Sequence, residues 1–308
     1  MTFFFGSMKT NAGLLIAFSL ALSACGGGGG GGSSDPSLTS GNPTTPSIPD
    51  TGLIQNLTNA APPAETAADQ VARQDGIVAR GDSLIVSSVY GETQSQLIPI
   101  LNLRSSCSGT TCTHTQPGIT LTTRLSDFEF YTENAQPIST KHGITLLGLT
   151  NVNLNSFGAW MEHSAFAVQE QNNMLQGVPY TAWYGLAGGD LTGSRPLGNA
   201  TWQGLMVGTP ATGANRGNRL QGDATLTYSL DNQSLDAAFT NIQDLDHLAA
   251  HSQSTVRFSD IPVNSRGEFQ RGSFGNQIQG GFYGPGHAEA AGTFEQSNIV
   301  GAFGAKKQ

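Results

Sequence analysis

The stretch "GDATLTYSLDNQSLDAAFTNI", Gly222 to Ile242, carries the pattern on which the fold turns. In an extended chain Ala224, Leu226, Tyr228 and Leu230 fall on one side, and Thr225, Thr227 and Ser229 on the other. Alternation with a period of two marks a half-buried strand; a helix would scatter the same residues round its axis. Asp231-Asn232 supplies a turn in the middle, so the stretch predicts a hairpin.

The flanking sequence repeats this grammar. "SFGAWMEHSAFAVQEQ", "VPYTAWYGLAGG", "NATWQGLMVGT", "STVRFSDIPVN", "NQIQGGFYGPG", "AEAAGTFEQS" and "NIVGAFGAKKQ" are apolar or alternating runs separated by Gly, Asn and Pro. Eight or nine such strands at short spacing predict a closed antiparallel up-and-down barrel, which also removes exposed sheet edges. Trp160, Trp183 and Trp202 are then expected as barrel packing. Composition agrees: charged residues are 12% of the 308, and Gly accounts for 40 of them. Helices with exposed faces want more Lys and Glu than this chain has. The one helical stretch is "PAETAADQVARQDG", Pro63 to Gly76, with Pro and Glu early and Gly76 placed to end it. Between it and the barrel, runs such as "SLIVSSVYGE" and "GITLTTRLSDFEFYTE" predict further strands.

The N-terminus reads as an address. The apolar run "AGLLIAFSLALSA" has the length of a signal-peptide core and is short for a membrane span. It ends in Leu22-Ser23-Ala24-Cys25, the pattern of a bacterial lipobox, so Cys25 is the expected lipidation site and the membrane anchor. Met8-Lys9 would serve as an alternative start. Seven glycines and a Ser/Thr/Pro-rich stretch follow, with almost nothing to bury. About 27 such residues span roughly 30 Å as a flexible tether. Cleavage before Cys25 removes Lys9 and no acid, leaving 13 basic residues against 22 acidic ones. That balance argues against nucleic acid as a partner.

Two further cysteines, Cys107 and Cys112, bracket a turn-like Ser108-Gly109-Thr110-Thr111 and are expected to form a disulfide in an exported protein. A metal site would need two more ligands, and His114 is a single candidate.

Three short motifs invite a chemical reading. Gly81-Asp82-Ser83-Leu84 matches the nucleophile block of GDSL esterases, and Asp244–His247 would add a D-x-x-H. The strand-like sequence after Ser83, and the lack of any βα alternation, argue against that enzyme and leave no catalytic residue assigned. Arg80-Gly81-Asp82 spells an adhesion tripeptide but abuts an apolar strand, which predicts a turn into that strand. His247 and His251, four apart in "DLDHLAAHS", would share one face of a short helix and are the candidate ligand-binding residues, for haem above all. Two ligands fall short of a zinc site, so no metal and no obligatory cofactor is expected.

The closing segments carry a specific resemblance. Gly281-Phe282-Tyr283-Gly284-Pro285, then Glu289, Gly292 and Phe294, then Gly301-Ala302-Phe303-Gly304-Ala305, resemble the barrel domain of transferrin-binding protein B and its relatives. These are bacterial surface lipoproteins that pair a barrel with a β-rich handle. The likeness runs from Phe157 to Gln308, and upstream it rests on the order of elements and the lipobox. It implies an all-β fold: a C-terminal eight-stranded antiparallel up-and-down β-barrel after a β-rich handle with one short N-terminal helix. The implied layout is a signal peptide over 1–24, lipidated Cys and tether over 25–62, helix and handle over 63–156, and barrel over 157–308. It further implies an outer-membrane, surface-exposed capture protein for a protein, iron or haem source, working beside a TonB-dependent transporter and a lipoprotein translocon. Family ligand contacts lie in variable loops, so no binding residue transfers by position. An adhesive or structural surface role is the alternative from another class.

Overall fold

The computed structural model describes residues 65–93, 101–128, 134–150, 154–175 and 177–308. The lipobox, Cys25 and the tether lie outside the described residues. The first element among the described residues is helix α1 (Ala67–Arg80). Strands β1 (Ser83–Val86), β2 (Val89–Thr93), β3 (Leu101–Ser108), β4 (Thr111–Gln116) and β5 (Ile119–Arg124) follow it. Then come β6 (Ala135–Lys141), β7 (Ile144–Thr150), β8 (Leu154–Trp160), β9 (Ser164–Leu175) and β10 (Val178–Gly189). After a connection over 190–199 come β11 (Ala200–Pro210), β12 (Leu220–Ser229), β13 (Ser234–Asp244), β14 (Ala249–Ala250) and β15 (Val256–Pro262). The chain closes with β16 (Glu268–Ser273), β17 (Asn276–Tyr283), β18 (Glu289–Gln296) and β19 (Ile299–Lys307).

Helix α1 begins where its capping chemistry dictates. Thr66 accepts the Asp69 amide through its hydroxyl and the Asp69 carboxylate accepts the Thr66 amide, a reciprocal capping box. The helix runs through Gly76, the residue expected to end it, because Ile77 on the next turn is fully buried and rewards continuation. Gln70, also fully buried, docks the helix on the sheet: its amide donates to Thr145 O at 2.6 Å and accepts from Trp160 N at 2.9 Å.

The first ten strands form one antiparallel sheet in the order β5-β4-β3-β2-β10-β9-β8-β7-β6, with β1 on β10 beside β2. This corrects the expected start of the barrel at 157. The segments from Leu154 to Gly189 pair within the handle sheet, and the change of sheet falls between Gly189 and Ala200. The reason is burial on both faces. β8 to β10 are packed by the handle core on one side and by the barrel on the other, so they read like barrel strands. Trp160 accordingly stacks on Phe128 in the handle (4.7 Å between ring centres), Trp183 stands on β10, and only Trp202 of the three packs inside the barrel.

At the handle's edge Cys107 and Cys112 face one another across the β3–β4 hairpin and form a disulfide. Closing so short a loop removes little unfolded-state entropy, so replacing both by serine is expected to cost no more than about 2 kcal/mol. A thermal melt with and without reductant reads this directly.

The second sheet runs β14-β13-β12-β11-β19-β18-β17-β16, with β15 on the far side of β13. Its eight long strands wrap a filled interior of Trp202, Leu226, Tyr228, Phe239, Phe282, Phe294 and Phe303. The ring is not closed by a continuous ladder. Between β15 and β16 a lone bridge joins Val263 and Phe269, and Arg271 reaches across to Asp260 O at 2.8 Å. A register shift between Leu235 and Ala237, and Asp260 in the left-handed region (φ 52°), bend β15 away at this seam. The hairpin read from Gly222 to Ile242 is present, with Ala224, Leu226 and Tyr228 inward; Leu230 sits in the turn, partly exposed.

The handle lies against β11 and β17–β19 through Leu146, Phe157, Phe166 and Val168 on one side and Leu205, Val207, Tyr283 and Ala302 on the other. β18 carries a buried carboxylate at each end. Glu289 accepts from Glu162 N, His163 N and Ser164 Oγ in the β8–β9 turn. Glu295 accepts from Ser88 N and Tyr90 Oη on the handle and from Gly275 N and Gln277 Nε2 on the barrel. A third tie is Asp223 on β12, which takes Lys141 Nζ at 2.5 Å, His142 Nε2 at 3.3 Å and Asn241 Nδ2 at 2.8 Å. Burial alone would raise the Asp223 carboxyl, but hydrogen bonds from His142, Lys141 and Asn241 overcome it and hold the group at about 2. A depressed pKa contributes stability above the unfolded value and loses it as pH falls toward 2. Since Asp223 is only half-buried, about 1 kcal/mol is expected from it. The difference in urea stability between the parent and Asp223→Asn should therefore be present at pH 6 and shrink steadily below pH 4.

Candidate functional site

One end of the molecule gathers loops from both sheets. Strands β9 and β10, the end of β7 and the start of β8 come from the handle, and the β11–β12 loop (211–219) and the β13–β14 turn (245–248) from the barrel. Between them lies a groove of about 340 Å³. Its floor is Phe157 and Val168, and its walls include Asn155, Glu170, Trp183, Gly217, Arg219 and Asp246.

The walls are held by a chain of charge-assisted bonds. Glu170 accepts Trp183 Nε1 and Asn155 Nδ2, each at 2.9 Å, which fixes the indole. The β11–β12 loop can cross this point because residue 217 is glycine: with φ 84°, a Cβ there would lie 3.0 Å from Trp183 Nε1. Arg216 pairs with Glu92 of the handle at 2.6 Å, and Arg219 with Asp246 at 2.5 Å. The Arg219 amide also donates to Asp246 at 2.7 Å, so this pair ties the loop to the neighbouring turn.

His247 stands in that turn. Its Nδ1 meets Asp244 Oδ2 at 2.9 Å, and Asn218 Nδ2 approaches both. Burial would raise Asp244, but the bonds from His247 and Asn218 and two backbone amides lower it; Asp244 in turn raises His247. His247 is more than half exposed, and its Nε2 has no partner among the described residues. His251 does not share a helix face with it. Residues 245–248 form a tight turn between β13 and β14, and His251 lies past the short return strand with Nδ1 on Gln253 N. Pairing of Asp244 with Ala249 favours a hairpin here over the predicted helix. Among the described residues no group of three or more His, Cys, Asp or Glu is arranged to hold a metal ion.

The other motifs fall elsewhere. Ser83 opens β1 and is buried with its hydroxyl 3.2 Å from Tyr283 Oη, while the Asp244–His247 pair sits in the β13–β14 turn; the structure does not bring them together. Arg80 ends α1 and donates to Glu162 O, and the Asp82 carboxylate accepts Leu191 N, so the tripeptide is tied down on both sides of Gly81. His114 lies buried between Ser105 Oγ and Thr123 Oγ1, where burial lowers it to about 4 and keeps it neutral.

Sequence reasoning passed over Glu170 and Arg219, and read Trp183 as barrel packing. A signal for the first existed: in so uncharged a chain, a glutamate inside a strand otherwise written in apolar and amide residues is conspicuous.

No family model matches the sequence, and no curated protein matches it. Among solved structures the chain is similar to transferrin binding protein B of Neisseria meningitidis serogroup B, at 15% identity and a TM-score of 0.36. That match covers 73% of this chain and 43% of the other, so the chain spans less than half of that protein. It is similar to a transferrin binding protein B variant of Actinobacillus pleuropneumoniae at 11% identity and TM-score 0.36, over 72% of this chain and all of the other. A third similar structure is the N-lobe of lactoferrin binding protein B of Moraxella bovis, at 13% identity and TM-score 0.27, covering 54% and 80%.

Proposed function

We propose that this chain is a lipoprotein anchored through Cys25 in a bacterial outer membrane, facing outward, that captures a protein, or an iron or haem source, and performs no catalysis. The observation that carries this reading is the end of the molecule where loops 211–219 and 245–248 of the barrel meet the handle. It is polar, built from two sheets, and cross-tied by Arg216–Glu92 and Arg219–Asp246. A surface fixed in this way loses little entropy on binding. The tether keeps a captured partner at high local concentration near a transporter, and a TonB-dependent transporter and a lipoprotein translocon are the machinery such a protein would need.

The test has two arms. Protease added to intact cells is expected to remove the protein, whereas full protection would place it inside. Pull-down from the native environment is expected to return one dominant partner, lost when Arg216 and Arg219 are both changed to Glu; an unchanged profile would reject this end as the binding face. Haem is the second reading, favoured by the open Nε2 of His247 beside a carboxylate-held Nδ1. It predicts a Soret band on haem addition that disappears in His247→Ala.

A further inference from the structure

The handle wall of the groove is one row of cross-strand neighbours. Asn155 on β8 lies opposite Glu170 on β9, and Glu170 lies opposite Trp183 on β10. Side chains paired in this way stand on the same face of a sheet, and the next row on that face is Phe157 opposite Val168. The charges on the barrel side are already paired: Arg216 with Glu92, Arg219 with Asp246, and His247 with Asp244. Glu170 is different. It is half-buried, and its two donors, Trp183 Nε1 and Asn155 Nδ2, are both neutral. No ion pair among the described residues includes it. A partly buried charge is costly without a counter-charge, and a carboxylate with two donors keeps about two lone-pair sites open. Beside it Asn155 Oδ1 is buried with no hydrogen-bond partner, on the same amide whose nitrogen Glu170 holds. Unpaired buried polar atoms are uncommon in native proteins and call for a missing partner.

We propose that this groove receives one alkylammonium group, carried either by a free amine or by a lysine side chain of a captured protein. An ammonium supplies what the groove lacks: a positive charge for Glu170, and three donors to share between the carboxylate and Asn155 Oδ1. The broad χ2 of asparagine lets Oδ1 turn toward it. Phe157 and Val168 offer the methylene stem an apolar floor while the charged head meets the wall. The volume, about 340 Å³, is at the small end of the roughly 300–1,000 Å³ typical of ligand pockets, which suits one stem and no folded segment. An anionic ligand would meet Glu170 as a like charge, and the excess of 22 acidic over 14 basic residues favours cations at longer range. The lysine source rests on the protein capture proposed above, and the free-amine source does not.

The indole N–H resonance of Trp183 reports on the site, because that proton is bonded to Glu170. The test follows it by NMR in the full chain in detergent, with the signal assigned by its loss in Trp183→Phe. The probes are n-butylammonium chloride and the blocked peptide acetyl-Gly-Lys-Gly-amide; 1-butanol, the Nε-acetylated peptide and sodium chloride are the controls. Both amines are expected to shift the Trp183 signal in a saturable way and to leave that of Trp202, bonded to His287 O inside the barrel, in place. Tighter binding of the peptide assigns the groove to a partner's side chain, and tighter binding of butylammonium assigns it to a free amine. Glu170→Gln should weaken either about tenfold, the loss of one charge-assisted bond. The same change should leave the ligand-free melting temperature unchanged or higher. It deletes the uncompensated charge, keeps an acceptor for the indole, and adds an N–H that Asn155 Oδ1 can accept once that amide turns over. These probes need no captured protein, so a failed pull-down and a silent groove are separate results. No shift from either amine, equal shifts from the neutral or sodium controls, or full amine binding by Glu170→Gln would each overturn the proposal. A lower melting temperature in Glu170→Gln with amine binding intact would overturn it too, and would mean that the carboxylate only braces the indole.

Discussion

Glu289→Ala is expected to lower unfolding stability by about 3 kcal/mol. The carboxylate accepts three donors from the β8–β9 turn, and two of these are backbone amides that no side-chain change can remove. Each donor left buried and unpaired costs about 1–3 kcal/mol, and part of that is returned because the buried carboxylate is itself unfavourable. Burial raises the Glu289 pKa, against the lowering effects of Ser164, the Glu162 and His163 amides and the nearby His163. A raised carboxylate contributes stability that is fully present below its unfolded pKa and is lost as pH rises through the folded one. Glu289→Gln keeps one acceptor and should cost less than the alanine. Relative to that variant, the parent should become more stable toward acid, the reverse of the Asp223 pair. Urea titrations of the three proteins at pH 4.5 and 7.5 check both size and sign. Equal midpoints for the parent and the alanine variant would mean that the turn is held by packing alone.

Gly185→Ala should have an effect at least as large, about 3–4 kcal/mol, through geometry instead of charge. Gly185 on β10 faces Gly301 on β19, and a Cβ at 185 would lie 2.2 Å from Gly301 O. The obstacle is backbone, with no side chain to swing aside, so the handle must lift from the barrel. Gly198→Ala is the control: nothing lies within 4 Å of the added atom, and no change is expected. Tryptophan fluorescence during denaturation reads both bodies, since Trp160 and Trp183 belong to the handle and Trp202 to the barrel. A Gly185→Ala protein as stable as the control would show that the sheets slide freely over one another.

How far the sequence speaks depends on what covers each strand. β12 and β15 have solvent on their outer face, so inward and outward residues alternate and the barrel hairpin can be read letter by letter. β10, β18 and β19 are covered on both faces, and nearly every residue in them is buried. Their runs of Gly and Ala look alike whether they belong to handle or barrel, which is why the boundary expected at 157 falls instead between Gly189 and Ala200. The groove between the sheets was harder still to read. Arg216, Gly217 and Arg219 look like ordinary loop letters, and their meaning depends on Glu92, Trp183 and Asp246, which come from distant parts of the chain. His247 lies in a hairpin turn where a helix was predicted, bonded to Asp244, a pair the sequence reading weighed only as part of an esterase motif.

The chain passes from the first sheet to the second once. Every described handle strand precedes Asp190 and every barrel strand follows Asn199. The connection leaves Leu197 91% exposed and Gly198 exposed beside it. A molecule threaded in this way can be cut there without severing any ladder. Two separately translated halves, meeting at Leu197 and Gly198, would retain all their strand pairings and would depend for reunion on the apolar interface, the carboxylates of β18 and Asp223, the Arg216–Glu92 pair and the glycine contact. Such a split would make the handle and the barrel exchangeable parts, so that one handle half could be paired with barrels bearing different loops.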